Sequence, residues 1–119
     1  MFDTREEMIE MYITSVKKKQ WKYLLITSEI SSDDLTTKEL TVLLSKWSSM
    51  ILSHLQPSDA AYQINPGNIF VLLHQTNETR FRQCMNNTFI CSSATGEGVL
   101  SSVLDLSHEE ISFLLHLQA

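Results

Sequence analysis

The sequence is poor in glycine, with three glycines in 119 residues. Loops that cradle phosphate groups need several glycines, because the backbone must approach the ligand closely. Such a loop is therefore excluded. The Gly-x-Ser-x-Gly turn that carries the nucleophile of many hydrolases is also missing from the chain.

Cysteine is scarce as well, with Cys84 and Cys91 as the two present. Residues 1–7 are charged where a secretory signal would be apolar. We therefore expect a cytoplasmic protein with both thiols reduced, and a disulfide between them is the alternative for an oxidising compartment. The longest uninterrupted apolar run, residues 69–73, is too short to span a bilayer, so no membrane insertion is expected.

Positive charge is missing from residues 83–119. All nine lysines and arginines lie at or before Arg82, whereas Glu97, Asp105, Glu109 and Glu110 follow it unopposed. The net charge of −5 argues against nucleic-acid binding, because phosphate contacts need a basic surface. An acidic end of this kind suits a basic protein partner.

No pattern typical of a catalytic or metal site occurs. The spacings of the four histidines, His54, His74, His108 and His116, fit no familiar ligand set. Neither cysteine lies in a recognisable nucleophile motif. We therefore predict a protein that is not an enzyme and that has no cofactor.

What the chain does contain is the material for one globular domain, residues 1–119, because 43% of the residues are hydrophobic and the length suits a single core. Apolar periodicity, capping residues and turn signals predict these elements in order: helix 4–19, strand 23–26, helix 34–55, strands 60–64 and 69–74, helix 78–85, strands 88–92 and 99–106, and a helix from 107. Pro66 and Gly67 suit the centre of a type II turn between the paired strands.

This order predicts an α+β fold: a ferredoxin-like βαββαβ antiparallel sheet with helices on one face, an added N-terminal helix and a C-terminal helix. The longest helix should bury one wide apolar stripe, formed by Leu40, Leu43, Leu44, Trp47, Ile51 and Leu55. The last helix is apolar nearly all round. Either it fills a sheet face completely, or it has surplus apolar surface for a partner or a second copy of the chain.

The segment 55–77 has a more specific order. A long helix ends, Asp59 follows, and two strands flank the turn Asn65-Pro66-Gly67-Asn68-Ile69 before a polar Gln75-Thr76. This stretch resembles the centre of bacterial GGDEF domains, the diguanylate cyclases, whose Gly-Gly-Asp-Glu-Phe hairpin falls at residues 65–69. The preceding strand and helix also fit, so the resemblance spans residues 21 to about 85. It implies a fold like that of polymerase palm domains, in which carboxylates hold two metal ions against a nucleoside triphosphate.

The residues that perform this chemistry in the family are replaced here. Gly67 and Asn68 stand where the signature has its acids, and Asn65 and Pro66 replace its paired glycines. Glu29 is the one acid near the end of the first strand, and it lies a residue or two off register. The resemblance therefore implies a degenerate domain without metal or catalysis.

The inhibitory product site of the family, Arg-x-x-Asp, corresponds to Gln56-Pro57-Ser58-Asp59. Gln56 replaces the arginine that would make a bidentate contact with phosphate or guanine. Glutamine can still donate a hydrogen bond, so weakened binding of cyclic di-GMP stays an alternative. In the purely structural interpretation, Asp59 caps backbone amides at the end of the helix.

The first hypothesis is therefore a non-catalytic regulatory or scaffold domain that acts through protein–protein contacts, alone or as a homodimer. One alternative is a receptor for cyclic di-GMP or another nucleotide. Another is a small α/β adaptor or secretion chaperone unrelated to GGDEF proteins. The candidate ligand or interaction residues are Gln56, Asp59, Asn65, Pro66, Gly67 and Asn68.

Overall fold

The computed structural model describes residues 4–15, 21–30, 36–87, 90–91 and 98–114. The helices are α1 (Arg5–Ser15), α2 (Thr37–Ser53), α3 (Glu78–Asn87) and α4 (His108–Leu114). The strands are β1 (Trp21–Ile30), β2 (Ala60–Asn65), β3 (Asn68–His74), β4 (Ile90–Cys91) and β5 (Gly98–Asp105). A short 3₁₀ turn, Gln75–Asn77, joins β3 to α3.

Hydroxyl side chains begin three of the helices. Thr4 Oγ1 accepts from the Glu7 amide at 3.2 Å, and Ser107 Oγ accepts from the Glu110 amide at the same distance. Thr36 does the same for Glu39, so α2 begins at Thr37, whereas the sequence predicts a start at 34. The predicted cap residues 31–34 and the lysines at 17–19 lie outside the described residues. Each hydroxyl satisfies an amide that has no partner within its helix.

The strands form one antiparallel sheet in the order β2-β3-β1-β5-β4. The β2–β3 hairpin is confirmed, with Tyr62 opposite Phe70. β1 lies between β3 and β5, with Leu24 opposite both Val71 and Asp105. It runs from Trp21 to Ile30, several residues longer than the four predicted, because β3 pairs with its residues 21–27 and β5 pairs with its residues 24–30.

One face of the sheet carries the main core. Leu24 and Ile26 of β1 and Val71 of β3 point toward α2 and α3, where they meet Trp47 and Phe81. The predicted stripe of α2 is confirmed as the packed face, with Leu43, Trp47 and Ile51 buried and Leu40, Leu44 and Leu55 half-buried. The Trp47 Nε1–H donates to Ser101 Oγ on β5 at 2.9 Å, so this large side chain is both packed and oriented.

The opposite face is covered too, by the two terminal helices, whose position the sequence did not predict. Met8 and Tyr12 of α1 and Ile111 of α4 form a second core with Phe70 and Leu72 of β3. Because side chains alternate along a strand, the apolar run of β3 supplies both cores at once. The added terminal helices are therefore an integral layer.

A hydrogen bond links the two terminal helices. The Tyr12 hydroxyl on α1 bonds to Nδ1 of His108, the first residue of α4. The Tyr12 ring also meets the Tyr23 ring edge-on, with centroids 5.1 Å apart. Burial, and secondarily the neighbouring Tyr23, raise the pKa of Tyr12 above its ordinary value of 10.0.

This shift predicts a loss of stability at alkaline pH. A folded-state pKa above the unfolded value means that the contribution is complete below about pH 10 and is lost as the pH rises through the folded pKa. We expect Tyr12→Phe to have a lower melting temperature than the wild type at pH 7, because the bond to His108 is lost. Between about pH 9 and 11, the melting temperature of Tyr12→Phe should fall less than that of the wild type, because the variant has no Tyr12 hydroxyl to deprotonate. Thermal melts of Tyr12→Phe and Tyr62→Phe across this range test it, and parallel curves for wild type and Tyr12→Phe would contradict it.

Within the described residues, no helix is long and apolar enough to cross a membrane. Cys84 is half-buried against the main core, whereas the side chain of Cys91 lies outside the part of the chain that the structure describes.

Candidate functional site

The hairpin residues named from the sequence lie together at the β2–β3 turn, against β1. Asn65 Oδ1 accepts from the Gly67 amide at 3.0 Å and from Asn68 Nδ2 at 2.9 Å. Asn68 Oδ1 in turn accepts from the Thr27 hydroxyl of β1 at 2.9 Å. Both asparagine carbonyls therefore bond within the fold.

The turn itself is not of the predicted type II. The φ of Gly67 lies outside the positive range that the third residue of such a turn requires. Glycine is favoured there by crowding, because an added Cβ would lie 2.9 Å from Ser28 Oγ. The Gly67 carbonyl also accepts from the Ser28 amide at 2.9 Å. The strand pairing shifts between Gln63 and Asn65, which accommodates this turn.

Asp59 is occupied by bonds within the chain. Its Oδ1 accepts from the His74 amide at 2.8 Å, and its Oδ2 accepts from the Gln56 amide at 2.8 Å and from Asn77 Nδ2 at 2.7 Å. One carboxylate thus holds the end of the α2–β2 loop, the end of β3 and the 3₁₀ turn together. This geometry supports the interpretation that Asp59 caps backbone amides at the end of the helix. In addition to the local amide of Gln56, Asp59 accepts from His74 and Asn77, which are distant in sequence.

Arg80 extends the same network. Its Nε donates to Asn77 Oδ1 at 3.0 Å, and its guanidinium donates to the His54 carbonyl at the end of α2 at 2.7 Å. Gln56 itself is exposed, and it borders a shallow pocket of about 370 Å³ with Pro57 and Asp59. The pocket beside residues 56–59, where the sequence resemblance predicts a product site, therefore lies on a structural network whose carboxylate already has three donors.

Glu29, the acid at the end of β1, is exposed and points to the face of the sheet opposite Ser28. Among the described residues, no group of three histidine, cysteine or acidic side chains is placed to hold a metal ion.

A larger concave surface than the pocket beside Gln56 lies on the second face of the sheet, between α4 and the strands β1 and β5. This groove has a volume of about 510 Å³, and its apolar lining consists of Leu25, Leu104, Leu106, Phe113 and Leu114. Phe113 is 84% exposed and Leu104 is 50% exposed. Leu100, on the same face of β5, is also 50% exposed. We call this surface the β5–α4 groove.

Acidic side chains border the β5–α4 groove. Glu109 and Glu110 of α4 line it, and both are exposed. Arg82 on α3 already bonds Glu78 at 3.0 Å and Asp105 at 2.5 Å. Burial alone would lower the pKa of Arg82, but its hydrogen bonds to Asp105 and Glu78 raise it above its ordinary value. Among the described residues, no lysine or arginine lines the groove.

The sequence indicated this surface only in part. The apolar last helix predicts either a filled sheet face or surplus apolar surface, and both occur in α4: Ile111 is buried in the second core, whereas Phe113 is exposed. Within the predicted strand 99–106, the spacing of four residues between Leu100 and Leu104 is the signal that these two side chains share one face of β5.

The chain matches no protein-family model, no curated protein and no solved structure. The groove, the hairpin and the Asp59 network are therefore the observations on which a functional assignment rests.

Proposed function

We propose that this chain is a non-catalytic interaction module that binds another polypeptide in the β5–α4 groove and serves as a regulatory or scaffold domain. The observation that carries the proposal is the exposure of Phe113 beside Leu104 on a concave apolar surface. Concave apolar surfaces with a polar border are typical of protein-binding sites.

The energetics favour occupation of this groove. Covering an aromatic or leucine side chain stabilises a complex by about 1.5–3 kcal/mol before the cost of association. Phe113 and Leu104 both line the groove, so one segment bound in it can cover both side chains. Aromatic residues in such positions often supply a large share of the binding energy.

The proposal includes the fold. The order β2-β3-β1-β5 with α2 and α3 on one face supports a ferredoxin-like sheet, to which β4 adds a short edge strand. The hairpin beside the end of β1 is also compatible with a degenerate GGDEF-like domain, as the sequence resemblance suggests. Binding in the groove does not depend on that ancestry, and an adaptor of another family would use it in the same way.

The non-catalytic part of the proposal is supported by the hairpin. Its four residues, 65–68, supply no carboxylate, and the asparagine oxygens already accept hydrogen bonds from the chain. Asp59 is likewise bound by three donors of the same chain. These residues are best explained as structural.

Site-specific photo-crosslinking tests the interaction. We replace Phe113 by the photoreactive amino acid p-benzoylphenylalanine and irradiate cells that produce the protein. A defined covalent adduct is expected from this position, because the probe stands in the groove. The matched control places the probe at Val42, which is 48% exposed on α2, on the other face of the sheet, and is not a groove residue.

A second substitution makes the result specific. Leu104→Glu introduces a charge into the groove and should abolish the adduct from position 113, since burying an unpaired carboxylate is costly. The control variant Val42→Glu should leave the adduct from position 113 unchanged. Equal adducts from positions 42 and 113, or an adduct that survives Leu104→Glu, would contradict the proposed function.

A further inference from the structure

We infer that the occupant of the β5–α4 groove is an extended segment of a partner protein that pairs with the open edge of β5 and carries lysine or arginine beside its apolar side chains. This inference rests on the proposed function and names the chemistry of the partner. Two independent observations support it: the main-chain groups along β5 and the charges around the groove.

The first observation is the direction of the β5 main chain. The Leu106 amide donates to the Tyr23 carbonyl at 2.9 Å. Alternate residues of an antiparallel strand direct their N–H and C=O groups to the same side. In the observed register, Leu104 therefore directs its groups to β1, whereas Val103 and Asp105 direct theirs outward.

The outward side of β5 is largely unpaired. Among the described residues, β4 pairs with β5 at Gly98 and Val99 and at no later position. The main-chain groups of Val103 and Asp105 thus face no strand in the described part of the chain. An edge of this kind is a template for an added strand, and main-chain hydrogen bonds would then contribute to affinity.

A strand added beside β5 would also bring its side chains to the groove. Leu100 and Leu104 project from β5 to the same face as Phe113. Alternate side chains of a strand added beside β5 would project to that face as well, next to Leu104. Backbone pairing and apolar contact would therefore come from one extended segment.

The second observation is charge. Glu109 and Glu110 line the groove, and no lysine or arginine follows Arg82 in the sequence. A basic segment is attracted to this border, whereas an anionic membrane is repelled. A second copy paired through its own β5 would bring the same acids of both copies together, so the charges favour a different, basic partner.

Fluorescence anisotropy with defined peptides tests the inference. The probe is a labelled ten-residue peptide in which pairs of valines alternate with pairs of lysines, so that each face of the extended peptide carries both residue types, and its matched control has glutamate in place of each lysine. We expect the basic peptide to bind at least about tenfold more tightly and to weaken as salt is raised. N-methylation of the amides on one edge of the basic peptide should weaken binding by a further factor of about ten, because the donors to β5 are lost.

Two charge-reversal variants show whether the basic peptide binds at the groove. Glu109→Lys should weaken the basic peptide, whereas Glu6→Lys on the exposed start of α1 should not. If position 113 crosslinks in cells but both peptides bind equally, or N-methylation has no effect, this inference fails while the proposed function stands. If the adduct from position 113 is a dimer of this chain, a second copy is the occupant and the inference is wrong. If position 113 yields no specific adduct, the proposed function itself fails.

Discussion

Replacing Trp47 by alanine is expected to lower the free energy of unfolding by about 3–5 kcal/mol. The indole is completely buried between α2 and the sheet, in contact with the core that includes Leu24 and Phe81. Its removal leaves a cavity among residues that belong to several elements, and it takes away the 2.9 Å hydrogen bond to Ser101. Urea unfolding followed by circular dichroism measures the change without depending on tryptophan fluorescence.

Two further variants keep this prediction testable if the alanine variant does not fold. Trp47→Phe retains most of the volume but loses the indole N–H, so a cost of about 1–2 kcal/mol is expected. Leu44→Ala should cost less than Trp47→Ala, because Leu44 is only half-buried. A Trp47→Ala protein with near-wild-type stability would show that α2 does not pack on the sheet through this side chain.

Asp59→Ala is expected to lower the free energy of unfolding by about 2–4 kcal/mol, since it removes a carboxylate with three donors. The largest part of this cost comes from the Asn77 side chain, which is buried and would lose an acceptor. The backbone amide of the exposed Gln56 can form a hydrogen bond with water instead, so the loss of its acceptor contributes less to this cost. Urea unfolding measures the stability, and hydrogen exchange of the His74 amide reports the local effect.

The control for Asp59 is Gln56, the other residue that borders the same pocket. Gln56→Ala removes an exposed side chain and should change stability by less than about 0.5 kcal/mol. The His74 amide should exchange faster in Asp59→Ala and at the wild-type rate in Gln56→Ala. Unchanged exchange and stability in Asp59→Ala would return Asp59 to the candidate ligand residues.

Local signals in the sequence predicted the elements well. The capping patterns at Thr4 and Ser107 predicted where α1 and α4 begin, because a cap depends on residues within one turn of helix. The stripe that contains Trp47 predicted the buried face of α2 for the same reason, since helical periodicity alone determines which side chains share a face.

Contacts between distant segments could not be predicted from local sequence patterns. The Pro66-Gly67 pair predicted a type II turn, which was wrong, and the close contact of Gly67 with Ser28 could not be predicted, because these residues meet only when β1 lies beside the hairpin. Asp59 likewise binds His74 and Asn77, which approach it only because β3 pairs with β2.

By itself, the sequence determined the order of helices and strands, the apolar face of α2, the acidic character of the last third and the surplus of apolar side chains in the last helix. The tertiary structure alone decided which of those side chains stay exposed. Ile111 is covered because Met8 and Tyr12 of α1 pack on the same sheet face, whereas Phe113 lines the β5–α4 groove and stays exposed. A pattern along one chain specifies what a helix must bury, but the position of its neighbours decides what remains for a partner.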